Sequence, residues 1–228
     1  MFKKELIDMF SLQDNLNKKI NENWKKERTK EDFTRAIWLE CAELVDSLPW
    51  KWWKKQEADM DNVKIEVVDI WHFILSYILL DFDNIEEIVE TEYIKHFQKG
   101  YDEDFQNLDI KGEYINHYLG ETDNNKKIIF LAERVAEGFL KDNPYEGLFF
   151  FGLLVKNSLS FKELYLLYIG KNILNHIRQE TGYKDGNYQK MINGIEDNKY
   201  LFDIVKQVEN KEDLEKKIRD TFESLAKS

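Results

Sequence analysis

Two pairs of carboxylates constrain this chain more than any other feature. Glu40 and Glu43 stand three residues apart in the run from Ala36 to Val45, and Glu66 and Asp69 stand three apart in the run from Val63 to Phe73. At i and i+3 of a helix, two side chains share one face, a turn apart. Tryptophan, leucine, valine and isoleucine crowd both pairs, whereas solvated helix faces usually carry Lys, Gln and Ser. An ionised carboxylate among apolar side chains is costly unless something pairs with it. Two such pairs on facing helices would gather four negative charges, and a hard divalent cation is the natural relief. The competing reading is a pair of solvated acidic faces in an acid-rich helical protein.

Composition supports the helices that this reading needs. The 228 residues include two prolines and ten glycines, helix formers dominate, and alternating β-branched runs are scarce. An all-α fold is expected, as a single catalytic domain over 1–228. Its helical core is placed at about 1–80 and 124–205, with an acidic middle insertion at about 81–123. Between Asp81 and Asp123, 13 acids face 3 lysines, so −10 of the formal −11 resides there. No broad basic surface remains, which argues against a nucleic-acid polymer as partner. The single cysteine, Cys41, excludes an intramolecular disulfide or a thiolate metal cluster, and its expected job is packing. The opening from Met1 to Glu5 shows no signal peptide, and Phe73–Leu80 is too short an apolar run to span a bilayer. A reducing, cytoplasmic setting without a membrane follows as the expectation.

Helices are expected at about 3–28, 29–47 with Thr29 as N-cap, 61–80 with Asp61 or Asn62 as N-cap, and 85–97. A looser stretch to Asp123 follows, and then helices at 124–141 and 145–158. Ser160 and Glu163 have the form of a capping box opening a long helix that ends near Gly182, and two shorter helices close the chain. Three further groups bear on chemistry. Gln13 and Asn17 share a face of the first helix at i and i+4, and read blandly they are exposed polars. Trp50, Trp52 and Trp53 alternate with lysines after Pro49, which suits a base and a phosphate, or else a loop that packs indoles onto the core. Lys171, Asn175 and Arg178 line one face at i, i+4 and i+7, with Lys184 and Lys190 in the glycine-containing turn beyond. That face invites an anion, although cations at a helix end also suit its own macrodipole.

Acids for two or three Mg²⁺ ions, cations and amides for a polyphosphate, and aromatics for a base together fit metal-assisted hydrolysis of a nucleoside triphosphate by metal-activated water. No G-x-x-x-x-G-K-[ST] occurs, so a P-loop enzyme is excluded.

The sequence E-x-x-E, 22 residues, E-x-x-D resembles the signature of the all-α nucleotide pyrophosphohydrolase superfamily. The stretches Leu12–Asn17, Trp50–Lys54, Asp69–Phe73, Gly182–Gly186 and Glu196–Asn198 are similar to the dimeric dUTPase branch in particular. The resemblance spans about residues 5–205, with the acidic segment outside it. It implies a helical bundle of that superfamily's type, a homodimer, and hydrolysis of dUTP and dUDP to dUMP, which keeps uracil out of DNA. It implies Mg²⁺ on Glu40, Glu43, Glu66 and Asp69, with Glu40 or Glu43 orienting the attacking water. Gln13 and Asn17 would read the uracil edge, Phe73 would stack, and Trp53 would close over it. Lys171, Asn175, Arg178, Tyr183, Lys184, Lys190 and Asn198 would hold sugar and phosphates. The alternatives are a MazG-type or dCTP-directed hydrolase and a non-catalytic helical binding protein. A di-iron bundle requires E-x-x-H twice, and only Asp69 to His72 offers an acid-x-x-His.

Overall fold

The computed structural model describes residues 2–108 and 123–225; residues 109–122 of the expected loose stretch lie outside the described residues. Helices in chain order are α1 (Lys3–Ile20), α2 (Trp24–Glu27), α3 (Lys30–Asp46), α4 (Met60–Leu79), α5 (Ile85–Ile88), α6 (Glu92–Asp102), α7 (Asn124–Leu140), α8 (Pro144–Ser158), α9 (Phe161–Glu180), α10 (Asp197–Val205) and α11 (Lys211–Leu225). The fold is all-α, with a two-residue hairpin of β1 (Met191–Ile192) and β2 (Ile195–Glu196). The chain packs as two compact units, residues 28–161, and residues 1–27 with 162–228.

In the unit of residues 28–161, α3 packs against α4 and α7, and α8 packs against α6 and α7. Thr29 caps α3 as expected, in a capping box whose Asp32 accepts from the Thr29 N–H at 3.0 Å. The cap of α4 is Asp59 rather than Asp61 or Asn62, its carboxylate accepting from Asn62 N at 3.0 Å. Trp71 is fully buried in a three-ring cluster, with Phe97 at 5.1 Å, Phe151 at 5.3 Å and those two rings 6.0 Å apart. Phe97 comes from α6, so the first part of the acidic segment contributes to this core through one face and keeps its charges on the other. The contact of α6 with α8 requires two glycines. A Cβ on Gly100 would stand 1.8 Å from the Phe149 carbonyl oxygen, and one on Gly152 would stand 2.2 Å from that of Phe97.

In the other unit, α1 ends at Ile20 instead of running to residue 28. Asn21 is extended, and its side chain accepts from Asn23 N at 3.0 Å, a local bond that competes with the helix ladder. Helix α9 ends in a Schellman motif at Gly182, the foreseen C-cap glycine, whose φ is +87°; Tyr183 N donates to Arg178 O at 2.9 Å and Gly182 N to Gln179 O at 3.4 Å. The hairpin turns on Asn193 and Gly194, both with positive φ, and delivers the chain into α10.

Candidate active site

Helices α3 and α4 bring three of the four expected acids together. Ligand oxygens of Glu40, Glu43 and Glu66 all lie within 4.8 Å of one another. Glu66 is only 6% exposed, Glu40 is half-buried, and Glu43 is exposed. Asp69 stands one turn further along α4, half-buried, outside that set of three. Its side chain is one methylene shorter than a glutamate, which reduces its reach. The neighbours of the first pair do not enclose it: Trp38 and Leu39 are 37% and 44% exposed, and α3 buries Phe33, Ile37, Cys41 and Leu44 instead. Cys41 packs as expected, with burial pushing its thiol pKa up.

Asn62 was not foreseen, and it ties the two acid helices to each other. Its amide donates to Ser47 Oγ at 2.8 Å and to Glu66 Oε1 at 3.0 Å. Asp59 N donates to Ser47 O at 2.9 Å, which holds the start of α4 against the end of α3. The signal for Asn62 was present in sequence, since it sits four residues before Glu66. The cleft here encloses 390 Å³ and is lined by Glu43, Asp46, Ser47, Glu57, Asp59, Asn62 and Glu66. Hard carboxylate oxygens converging on one point, one of them on a buried side chain, suit a hard divalent cation.

The tryptophan loop rises beside α3. Trp53 is 58% exposed and meets Trp50 and Trp52 edge-on, at 5.4 and 5.5 Å. The Trp50 indole donates to Asp46 at 3.3 Å, and Lys51 pairs with the same carboxylate. These contacts, led by that of Lys51, hold the Asp46 pKa below its usual value. Phe73 is half-buried on α4.

In the unit of residues 1–27 and 162–228, Gln13 is buried and donates through Nε2 to Asn17 Oδ1 at 3.0 Å. Gln13 Oε1 accepts from the fully buried Tyr168 hydroxyl at 3.0 Å. The structure also gathers much of the expected cationic face. Lys171 donates to Asn198 Oδ1 at 2.8 Å, and Arg178 reaches Asn175 at 3.2 Å and Asn198 at 3.3 Å. The Tyr183 ring lies 5.9 Å from the Arg178 guanidinium and 6.0 Å from Lys190 Nζ. Lys184 points elsewhere, donating to the Ile20 carbonyl at 3.2 Å, where a cation satisfies the end of α1.

Sequence reasoning missed the centre of this group. Asp197 is fully buried and takes Arg178 in a fork, Nε to Oδ2 at 2.9 Å and Nη2 to Oδ1 at 2.7 Å. Tyr188 adds a third bond to Asp197 at 2.8 Å, and burial together with that bond pushes the Tyr188 pKa up. A guanidinium this buried needs a counter-charge, so the expected row of cations contains a matched ion pair.

Among curated proteins no sequence matches the chain. A family model described as dUTPase matches residues 5–183, which include both acid pairs, Gln13 and Asn17 of α1, the tryptophan loop and the end of α9. Such a match over most of the chain, on an all-α scaffold that converges acids from two helices, shows that the protein belongs to the all-α dimeric dUTPase family and hydrolyses dUTP.

Proposed function

We propose that this dUTP diphosphatase is a single catalytic domain over residues 1–228, works with Mg²⁺, accepts dUDP as well as dUTP, and acts as a homodimer. The convergence of Glu40, Glu43 and Glu66 within 4.8 Å carries the metal reading. Asp69 completes the set from the next turn of α4. Magnesium held there supplies charge neutralisation for the phosphates and acidity for an attacking water. Glu40 orients that water and accepts its proton, with Glu43 beside it. Water adds to the phosphorus bearing the deoxyribose, the bond to the bridging oxygen breaks, and pyrophosphate leaves with that oxygen; from dUDP the leaving group is phosphate. Asn62 holds Glu66 in place through the 3.0 Å bond to its carboxylate.

Gln13 and Asn17 read the uracil edge, Phe73 stacks on the ring, and Trp53 closes over it. Lys171, Asn175, Arg178, Tyr183, Lys190 and Asn198 hold sugar and phosphates, with Arg178 orienting Asn175 and Asn198 as much as attracting charge, while Lys184 stays at the end of α1. Product analysis with dUTP and dUDP tests the reading. With Mg²⁺ it predicts dUMP plus pyrophosphate from dUTP and dUMP plus phosphate from dUDP, and with EDTA neither. Undiminished turnover in EDTA overturns the metal assignment.

A further inference from the structure

We propose that Ser47 is a positioning residue for the metal site: through Asn62 it fixes the Glu66 carboxylate against the α3 backbone at Glu43, and it thereby favours Mg²⁺ over a larger divalent cation. The inference rests on the reading of Glu43 and Glu66 as metal ligands. Two glutamates on different helices keep no fixed separation by themselves, because each side chain has several staggered rotamers. Mg²⁺ demands near-ideal octahedral geometry at about 2.0–2.1 Å, whereas Ca²⁺ accepts about six to eight oxygens in flexible geometry at about 2.3–2.6 Å. Selection of the smaller ion therefore needs acids that are held.

The end of α3 supplies such a hold. Ser47 is the C-cap of α3, half-buried, and its hydroxyl donates to the Glu43 carbonyl oxygen at 3.1 Å. With that proton committed, the hydroxyl oxygen accepts from Asn62 Nδ2 at 2.8 Å. The same Nδ2 donates to Glu66 Oε1 at 3.0 Å, so each amide hydrogen serves one acceptor. Charge sets the sense of this amide: turned over, its oxygen would face the ionised Glu66 carboxylate. The main chain of Asn62 is fixed as well. Its N–H donates to Asp59 Oδ1 at 3.0 Å, and Asp59 N donates to Ser47 O at 2.9 Å. A closed ring thus runs from Ser47 through Asp59 to Asn62 and back, and the Glu66 carboxylate hangs from it. Glu43, Ser47, Asn62 and Glu66 all line the one cleft. Outer partners of this kind govern metal affinity by orienting the ligand, and their loss typically costs about 10- to 100-fold.

Ser47→Ala removes the hydroxyl and leaves the backbone bond from Asp59 N to Ser47 O in place, so it cuts the side-chain link alone. Calorimetric titration of the metal-free protein with Mg²⁺, and separately with Ca²⁺, tests the role. Ser47→Ala and Asn62→Ala are expected to raise the Kd for Mg²⁺ by about tenfold or more and that for Ca²⁺ by less, so the preference for Mg²⁺ falls. The ratio of the two constants is the reading, since a smaller folded fraction leaves it unchanged. The double variant is expected to lose no more than Asn62→Ala alone, because both residues act through one chain of bonds. Losses that are equal for the two ions, or that add in the double variant, overturn the positioning role. Glu66→Gln separates that role from the metal reading. Weakened Mg²⁺ binding there, with wild-type binding in Ser47→Ala and Asn62→Ala, overturns the positioning role and leaves the metal site standing. Wild-type Mg²⁺ binding in Glu66→Gln overturns both.

Discussion

The acids of α3 and α4, which range from buried Glu66 to exposed Glu43, and the buried ion pair at the end of α9 are both charge clusters, yet they are built on opposite rules. At the first, Glu40, Glu43 and Glu66 put like charges within 4.8 Å of one another, with a neutral amide, Asn62, donating to the most buried of them. At the second, Arg178 and Asp197 form a two-pronged pair with Tyr188 completing it. A matched pair stabilises itself once formed. A like-charged set is held together by the scaffold against its own repulsion, and it gains most when a cation arrives. The first arrangement suits binding and the second suits positioning.

The sharpest way to break this contrast is to neutralise one member of each cluster. Glu66→Gln keeps the bond from Asn62 but removes a charge. It should lower dUTP turnover by about 10³-fold, equivalent to roughly 4 kcal/mol on the barrier. Its thermal stability in EDTA should hold or rise, because repulsion has been relieved. A pyrophosphate-release assay and melting curves in EDTA read the two effects, and a variant that keeps full activity removes Glu66 from the site. Asp197→Asn should do the reverse. It strands the Arg178 charge in a buried place, so urea unfolding should show a loss of about 3 kcal/mol. An unchanged unfolding midpoint would mean that the pair is not buried as described.

The smallest effect concerns acid. His176 is held below its usual value of 6.5, first by burial and then by Lys19, with Arg219 in the same direction and Glu180 and Glu215 opposing. A base with a depressed folded pKa binds fewer protons folded than unfolded, so its contribution is complete above pH 6.5 and is lost as pH falls below it. Glu180, depressed chiefly by its bond from Lys19 at 2.5 Å, adds a loss in the same direction at lower pH. His176→Gln should therefore flatten the dependence of Tm on pH just below 6.5, and an unaltered slope would contradict that origin.

Local signals were the legible ones. The i, i+3 spacing singled out Glu40, Glu43 and Glu66, which converge, along with Asp69, which stands outside that set; Thr29 announced α3, and Gly182 announced the end of α9. Partnerships far apart in sequence were not legible. Arg178 and Asp197 are 19 positions apart, and periodicity along α9 counts cations without revealing their counter-ion. Tyr168 and Gln13 are 155 apart. The packing of α6 on α8 through Gly100 and Gly152 likewise escapes a reading that sees an acidic segment without a motif. Other misses were local and avoidable. Asn193-Gly194 is the residue pair that a tight hairpin requires, and Asp59, three residues before Asn62, is as good a cap as Asp61. Apolar neighbours proved a poor guide to burial at the first acid pair, because Trp38 and Leu39 occupy the outer face of α3.

The central claim is that the acids of α3 and α4 form a magnesium site. Calorimetric titration of the metal-free protein with Mg²⁺ tests it most directly. Saturable binding is predicted for the wild type and for Asp197→Asn, with loss in the triple variant Glu40→Gln, Glu43→Gln, Glu66→Gln. Equal binding by wild type and triple variant would place the metal elsewhere and contradict the account.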